Sequence, residues 1–400
     1  MNNETRKETQ VLPKDVRYVG ADDLTLPLFE NQYPVQPMGV SYNSYLILDE
    51  KIAVMDSVDA RAADEWLAKL AHELDGRSPD YLVISHMEPD HSGSILRLAE
   101  KYQEMKLVGN TKTFTMLRQF FGAKAPTDDR LLEVGEGETL PLGAHTLHFM
   151  LAPMVHWPEV MVAYEETEKL LFSADAFGRF GSLGRTANAP WAPQARRYYY
   201  NIVGKYGAQV QALLKKASAL EIETICPLHG PVLTGEALGE ALRLYDLWSR
   251  WQSESPDDIL LAHASIHGNT ARAAELLKQK LEAKGARVTL CDLTTTEVSY
   301  AVANAFYCGK LVLACSTYDG GLFPPMEEFL SHLQAKGFRD RSVGLMENGS
   351  WAPAAARLMR AKLEEMKDLR VCGTVVSLRS ALSPASEAQM ETLSAELCAK

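Results

Sequence analysis

The sequence has no C-x-x-C pair. Its six cysteines, Cys226, Cys291, Cys308, Cys315, Cys372 and Cys398, are scattered along the chain. That spacing fits neither a disulfide framework nor a tetrathiolate metal knuckle, so the thiols are expected to be reduced and mostly buried. No uninterrupted apolar run approaches the roughly 20 residues of a membrane span. The first ten residues, MNNETRKETQ, lack the apolar centre of an export signal. These absences predict a cytoplasmic chain with no membrane segment. Positive charge is short as well: 41 Lys and Arg against 52 Asp and Glu give a formal charge of -11. Such a field repels phosphate, which argues against nucleic acid or anionic lipid as the main partner. No G-x-x-x-x-G-K-S/T loop is present, so nucleotide triphosphate hydrolysis lacks its lysine. Internal repeats and low-complexity segments are also missing.

What is there is ordinary globular material: 400 residues, 46% hydrophobic and 23% charged. That is enough for two cored domains. From Met38 to Asp56 two β-rich runs flank a polar turn at Asp49, Glu50 and Lys51, a hairpin signal. A helical stretch (Arg61 to Leu74), an apolar strand (Tyr81 to Ser85) and a second helix from near Ser92 follow. Between Arg130 and Gly178 the segments LLEVGEGETLPL, HTLHFMLAP, VMVAYEET and KLLFSADAFG read as strands. Trp191 to Ala219 and Glu236 to Gln252 read as helices. Strands facing strands under helices predict an αββα sandwich. The polar stretch QSESPDD reads as a linker and divides a domain of residues 1–252 from one of residues 253–400. Beyond it, apolar runs at Ile259–Ala264, Val288–Cys291, Leu311–Cys315, Val343–Met346 and Val371–Val376 alternate with amphipathic stretches. This predicts an open parallel sheet with helices on both faces, as in flavodoxin-like folds.

The motif richest in chemistry is His86-Met87-Glu88-Pro89-Asp90-His91, placed between the strand YLVIS and a helix. If the chain stays extended here, His86, Glu88 and Asp90 alternate onto one side and His91 turns in from the helix start. His156 in APMVHWPE, Asp175 in LFSADAFG and His229 in ICPLHGP sit at other strand ends. Taken singly, each is an ordinary strand-end residue; together they make a candidate ligand set. His72 falls in a helical stretch, His145 and His148 lie in one β segment and lack carboxylate partners at ligand spacing, and all three read as structural.

The spacing resembles that of the metallo-β-lactamase superfamily, whose usual H-x-H-x-D-H motif holds two metals. Glu88 replaces the second His. Nitrogen-rich sites suit zinc, whereas mixed imidazole and carboxylate sites suit iron. With H-W-P, S-A-D-A-F-G and P-L-H-G-P downstream, H-x-E-x-D-H closely resembles the flavodiiron family over nearly the whole first domain. SYNSYLI, DAFGRFG and RRYYYNI are further family-like segments. The resemblance implies a non-haem diiron site: His86, Glu88 and His156 on one iron, Asp90, His91 and His229 on the other, Asp175 bridging. In some relatives the residue matching His91 is not a ligand. Two metals roughly 3.5 to 4 Å apart accommodate both atoms of dioxygen or two nitric oxide molecules.

In the second domain, Ser265-Ile266-His267-Gly268-Asn269-Thr270 follows the first strand and opens a helix, where a flavodoxin holds phosphate. Hydroxyls, the Asn269 amide and helix N-terminal N–H groups suit an anion there, and His267 is expected to face water. Ser316-Thr317-Tyr318-Asp319-Gly320 and Asn348-Gly349-Ser350-Trp351 fall at other strand carboxyl ends, where open α/β sheets bind ligands. Tyr318 and Trp351 are candidates for stacking on an isoalloxazine ring. Pro353 suits the first turn of the next helix. This half resembles the family's FMN domain, although many members have Asn where Asp319 or Gly320 stands, and G-W-G-G where this chain has Ser350-Trp351-Ala352-Pro353.

The resemblance thus implies an FMN- and iron-dependent oxidoreductase that reduces dioxygen to water, nitric oxide to nitrous oxide, or both. It also implies a head-to-tail homodimer or homotetramer. With no fused C-x-x-C module, an external donor such as rubredoxin delivers the electrons. Two other readings remain open: a di-zinc hydrolase with an accessory flavodoxin domain, and a non-catalytic flavin electron carrier. Metal analysis separates the first, and Glu88→Ala or Asp175→Ala the second.

Overall fold

A computed structural model describes residues 12–399; the segment MNNETRKETQ lies outside the described residues. Among the described residues no helix is long and apolar enough to cross a membrane. The chain forms two compact units. One comprises residues up to Tyr199 with Ala208–Asp246, and the other Tyr200–Gly207 with residues from Leu247 onward. The chain therefore visits the second unit briefly, at Tyr200–Gly207, before entering it for good. That visit coincides with a π-helical turn, Tyr199–Val203, and a 3-10 turn, Gly204–Tyr206. The single helix expected from Trp191 to Ala219 is accordingly split into Trp191–Tyr198 and Gly207–Ala217.

The first unit is built on two sheets of six strands. One runs Val16–Tyr18, Tyr45–Ile47, Ala53–Met55, Tyr81–Val83, Lys106–Gly109, Leu131–Glu133 in spatial order. The other runs Thr139–Pro141, Thr146–Leu151, Met161–Glu165, Leu170–Phe172, Thr224–Cys226, Leu233–Thr234. Tyr45, Ile47, Met55, Val83 and Val108 of the first meet Leu147, Phe149, Met161, Ala163 and Phe172 of the second in one shared core. LLEVGEGETLPL is therefore two strands rather than one. Leu131–Glu133 ends the first sheet and Thr139–Pro141 opens the second, with the turn signal G-E-G at the crossing.

Helices cover the outer faces, which is why every residue of Met161–Glu165 is buried. In Ala63–Leu74 the buried residues Ala63, Trp66, Leu70 and Leu74 form one stripe at helical spacing. Trp66 Nε1 donates to Ser44 Oγ at 3.0 Å, tying that stripe to the chain beside the sheet. The helix stops where Asp75 takes a left-handed conformation with φ 45°.

The second unit holds a five-stranded parallel path, in order Val288–Asp292, Ser255–Ala264, Cys308–Tyr318, Arg341–Asn348, Leu369–Leu378. The chain order is second, first, third, fourth, fifth, the flavodoxin-like arrangement with its switch point beside the first strand. Ile259, Leu261, Val312, Ala314, Met346 and Val376 pack with Ala273, Leu277, Leu281, Met390 and Leu393 from two helices. Each fully buried aliphatic side chain there contributes about 1.5–3 kcal/mol. The intervening Leu260, Leu311, Leu313 and Leu345 are fully buried on the opposite face.

The last strand, Leu369–Leu378, lies at the edge of this sheet. Helix Pro384–Cys398 returns along it and caps part of its backbone. Glu396 accepts from Gly373 N and Thr374 N at 2.9 and 3.2 Å, and Gln389 Oε1 accepts from Ser377 N at 3.0 Å. All six cysteines are free. Cys226, Cys291, Cys308 and Cys315 are buried, and Cys372 and Cys398 are half-buried.

Candidate functional site

The strand Tyr81–Val83 delivers His86 to the rim of the first unit. Asp56, at a backbone φ of 57°, accepts from Ser85 N through Oδ1 at 2.7 Å and so fixes the strand's exit. The chain stays extended only as far as Glu88, which differs from the expected run to Asp90. Pro89 starts a one-turn helix, Pro89–Ser92, that carries Asp90 and His91. Proline's fixed φ favours this start. The turn places His86 and Glu88 in one cluster and Asp90 and His91 in another.

His156, on the loop beyond Leu151, brings Nε2 to 3.1 Å from Glu88 Oε2 and 3.0 Å from Asp175 Oδ2. His86 Nε2 lies 3.3 Å from Glu88 Oε2 and 3.4 Å from Asp175 Oδ2. On the other side, His91 Nε2 lies 3.3 Å from both Asp90 Oδ2 and Asp175 Oδ1. His229 Nε2 lies 3.2 Å from Asp90 Oδ2 and 3.6 Å from Asp175 Oδ1. Among the described residues two groups could hold metal ions: His86, Glu88, His156 and Asp175, and then Asp90, His91 and His229. Asp175, 1% exposed, turns one oxygen to each group.

Other residues hold these in place. His86 Nδ1 donates to Glu159 Oε1 at 2.8 Å, and Met87 N donates to the same oxygen at 2.9 Å. His229 Nδ1 donates to Ser41 O at 2.7 Å. Asn43 Nδ2 donates to Pro227 O and Gly230 O, and Tyr45 Oη to Pro227 O. The SYNSY segment therefore serves as the clamp on the PLHGP loop. In DAFGRFG, Phe177 N donates to Tyr245 Oη at 2.5 Å, which secures the turn carrying Asp175. Tyr198 adds a buried hydroxyl with no hydrogen-bond partner among the described residues, its ring 5.5 Å from that of His229.

The electrostatics are those of a charged cage. Burial lowers the pKa of His156, but hydrogen bonds to Asp175 and Glu88 outweigh it and raise the value to about 9. His86 and His91 are raised against the same burial penalty, His86 chiefly by Asp175 and Glu159, His91 chiefly by Asp90 and Asp175. Burial raises Asp175 and Glu88, yet the imidazoles hold both carboxyls below the usual range. Burial, reinforced by Asp175, Asp90 and Glu88, pushes the Tyr198 phenol well up, so it keeps its proton.

The donor set fits a pair of cations. Among the described residues, Asp90 Oδ1, Asp90 Oδ2 and Asp175 Oδ1 are buried with no hydrogen-bond partner. Native structures seldom leave carboxylate oxygens in that state without an ion. His145 and His148 are apart from the cluster. Each pairs with one carboxylate across the strands, Glu165 at 3.1 Å and Glu166 at 2.8 Å. One acid across a strand pair makes an ion pair, not a cage. His72 lies exposed on its helix.

In the second unit the expected loops sit at the carboxyl ends of the first, third and fourth strands in chain order. Ser265 Oγ accepts from Gly268 N at 3.1 Å, and Gly268 takes φ 85° to open helix Asn269–Ala283 with no side-chain cap. Its first N–H groups are thus left for an external acceptor. Ile266 and His267 are exposed, and Asn269 is half-buried. Thr270 turns inward: its Oγ1 lies 2.9 Å from Ser316 Oγ and accepts from Asn348 Nδ2 at 3.3 Å. Thr317 Oγ1 caps helix Ala355–Glu364 by accepting from Ala354 N and Ala355 N. Pro353 thus precedes that helix instead of entering its first turn. A Cβ at Gly349 would fall 2.6 Å from Pro353 Cα, which requires glycine there. Asp319 and Gly320, both at positive φ, make a two-residue hairpin between Tyr318 and Gly321. Tyr318 and Trp351 are 45% and 88% exposed, so their faces are available for stacking.

A further loop was not anticipated. Ser380, beyond the fifth strand, donates from N to Asn348 Oδ1 at 3.0 Å and lies 2.8 Å from Ser350 through its hydroxyl. Its place at a parallel strand's carboxyl end was the available signal. Glu159 and Asp56 were missed as well. Glu159 stands within the HWPE segment, whereas nothing local marks Asp56.

Comparison with known proteins agrees with this geometry. A family model described as ODP family beta lactamase matches residues 40–230. The chain is 27% identical over 387 residues to a rubredoxin-oxygen oxidoreductase of Megalodesulfovibrio gigas, covering 94% of each. It is 26% identical over 390 residues to an anaerobic nitric oxide reductase flavorubredoxin of Vibrio vulnificus, covering 94% of this chain and 76% of the relative. Among solved structures, rubredoxin oxygen:oxidoreductase from Desulfovibrio gigas superimposes with a TM-score of 0.89 at 26% identity, over 98% of this chain and 97% of that one. A likeness that runs through both folds, over nearly the full length, makes this chain a member of the flavodiiron protein family.

Proposed function

We propose that the protein is a flavodiiron oxygen or nitric oxide reductase. Two irons would be held by the His86–Glu88–His156 and Asp90–His91–His229 groups with Asp175 between them, and FMN by the strand-end loops around residues 265–270, 316–320 and 348–351. The first site falls to a domain of residues 1–252 and the second to one of residues 253–400. The observation that carries this reading is Asp175, a buried carboxylate with one oxygen on each of two imidazole and carboxylate groups.

When bound, an iron pair and an FMN hydroquinone supply two electrons each, matching the four needed to take dioxygen to water, while two nitric oxide molecules need two. The chain's own residues position and neutralise. Glu88, Asp90 and Asp175 supply negative charge for two cations. The clamps on His86 and His229 fix their ring planes, and buried surroundings limit water. Tyr198 keeps its proton on Oη within the field of Asp175, Asp90 and Glu88, which makes it a hydrogen-bond donor to a substrate oxygen rather than a base. In the second unit, the uncapped helix start at Asn269 and the Ser265 hydroxyl would take the flavin's phosphate, and Tyr318 and Trp351 its ring.

An external donor such as rubredoxin is part of the proposal, supported by the name of the Megalodesulfovibrio relative, a rubredoxin-oxygen oxidoreductase. A homodimer or homotetramer with head-to-tail contacts and a cytoplasmic setting complete it. Relatives named for oxygen and for nitric oxide are equally distant, at 27% and 26% identity, so the gas is left to measurement. The test is anaerobic reduction of the purified protein, then parallel oxygen-electrode and nitric-oxide-electrode turnover with iron and FMN quantified. Turnover of at least one gas at about two irons and one FMN per chain is the expected result. Zinc in excess of iron, with ester or amide hydrolysis and no gas turnover, would overturn it.

A further inference from the structure

The imidazoles that point Nε2 into the cage are not supported alike at their other nitrogen. His86 Nδ1 donates to a carboxylate, Glu159, at 2.8 Å. His229 Nδ1 donates to a neutral carbonyl, Ser41 O, at 2.7 Å. His91 Nδ1 is buried with no hydrogen-bond partner among the described residues.

Glu159 is costly to keep where it is. Its side chain is 0% exposed, and Oε2 has no hydrogen-bond partner among the described residues. A buried acid so placed loses hydration that one hydrogen bond does not restore. Its location is fixed at three points: Oε1 by His86 and by Met87 N, and its backbone carbonyl by Asn110 Nδ2 at 2.6 Å. Yet Glu159 belongs to neither group of candidate metal ligands. A carboxylate on the far nitrogen fixes an imidazole's tautomer and raises the basicity of the nitrogen that faces the metal.

We propose that Glu159 is a positioning residue: it holds the His86 proton on Nδ1, frees Nε2 for metal, and makes the His86–Glu88–His156–Asp175 position the tighter of the two. The inference rests on the metal-centre reading above and adds an order to it. The Asp90–His91–His229 position, backed by one carbonyl and one unsupported ring, fills second and loses metal first.

The test uses the full chain with flavin retained, stripped of metal by chelation and titrated with Co²⁺ as an optical probe. Asp90→Ala isolates the first position, and Glu88→Ala the second. Glu159→Gln keeps an acceptor for His86 and Met87 N but removes the charge. In the Asp90→Ala background it is expected to weaken Co²⁺ binding about 10–100-fold, and in the Glu88→Ala background to leave it unchanged. Equal affinity with and without Glu159→Gln in the first background overturns the inference, as does tighter binding at the second position than at the first. Failure of both positions to bind Co²⁺ in the unsubstituted protein would instead sink the metal-centre reading itself. Should Glu159→Gln lose its flavin or fold, the zinc-loaded unsubstituted protein decides. Nitrogen NMR of labelled histidine must show His86 protonated on Nδ1 and bare at Nε2, and the opposite tautomer overturns the proposal.

Discussion

The Nε2 atoms of His91 and His229 face one another at 3.0 Å, and both rings are buried. Neither nitrogen can donate to the other unless one is bare, so the pair holds one shared proton or one cation. His91 is raised above its ordinary pKa and His156 is raised to about 9, so the metal-free cage carries protons at neutral pH. Loading it must therefore expel them. Anaerobic titration of unbuffered metal-free protein with Fe²⁺ near pH 7 is expected to release protons in step with metal. Loading with no acidification would contradict this account.

The same shifts give stability a direction with pH. His156 is raised from an ordinary value near 6.5, so its contribution is complete below about 6.5 and disappears as pH climbs through about 9. Asp175 and Glu88 are depressed, so theirs is present above about 4 and is lost on acidification. Metal-free protein should melt highest between these limits and progressively lower towards pH 9.5, while metal-loaded protein keeps its alkaline stability. Calorimetry of both forms from pH 4 to 9.5 makes the comparison; a flat alkaline limb in the metal-free form would refute it.

Asp175→Ala removes the one side chain shared by both groups. It should abolish binding at both positions and destabilise the metal-free protein by about 3–5 kcal/mol, because four imidazoles lose a buried counter-charge. Glu88→Ala touches only the first group. Iron per chain and yellow colour, measured together, separate these outcomes: both variants keep FMN, and only Asp175→Ala loses all iron.

Tyr198→Phe deletes a hydroxyl that has no structural partner among the described residues. Iron content and melting temperature should stay near those of the unsubstituted protein, while gas turnover falls on the order of 10²-fold. Equal turnover would show that the hydroxyl donates no hydrogen bond that matters to the reaction.

Asn348 ties three loops, through Thr270, Ser380 N and Ser380 O. Asn348→Ala is expected to loosen them and weaken FMN binding about tenfold, the worth of one or two net hydrogen bonds. Flavin fluorescence titration of the apoprotein measures this, and an unchanged affinity would show that the loops hold without the crosslink.

Much of the fold was legible because its signals are local. The parallel sheet announced itself in five apolar runs, but its first strand begins at Ser255, inside the polar QSESPDD stretch that reads as a linker. The sandwich was legible as a class, but G-E-G in LLEVGEGETLPL did not reveal that the chain changes sheets there, since sheet membership depends on distant partners. The one-turn helix at Pro89 was written in the proline, yet the alternation of His86, Glu88 and Asp90 fitted a strand equally well. In the candidate site, residues marked by motif came together in space, whereas Asp56 and Ser380 act through backbone contacts and carry no motif. The break in the helix at Tyr199 left no mark either, because RRYYYNI has good helical periodicity through the break.

The Glu396 carboxylate and the Gln389 amide, seated on the outermost strand of the second unit, bear on how crowded molecules behave. A foreign strand laid along Gly373 to Ser377 would have to evict a negative charge and reclaim donors already engaged. Ribbon-like growth from that margin is blocked from within the molecule, so the loops at the strand ends beside it can stay open to a visitor without that margin seeding fibres.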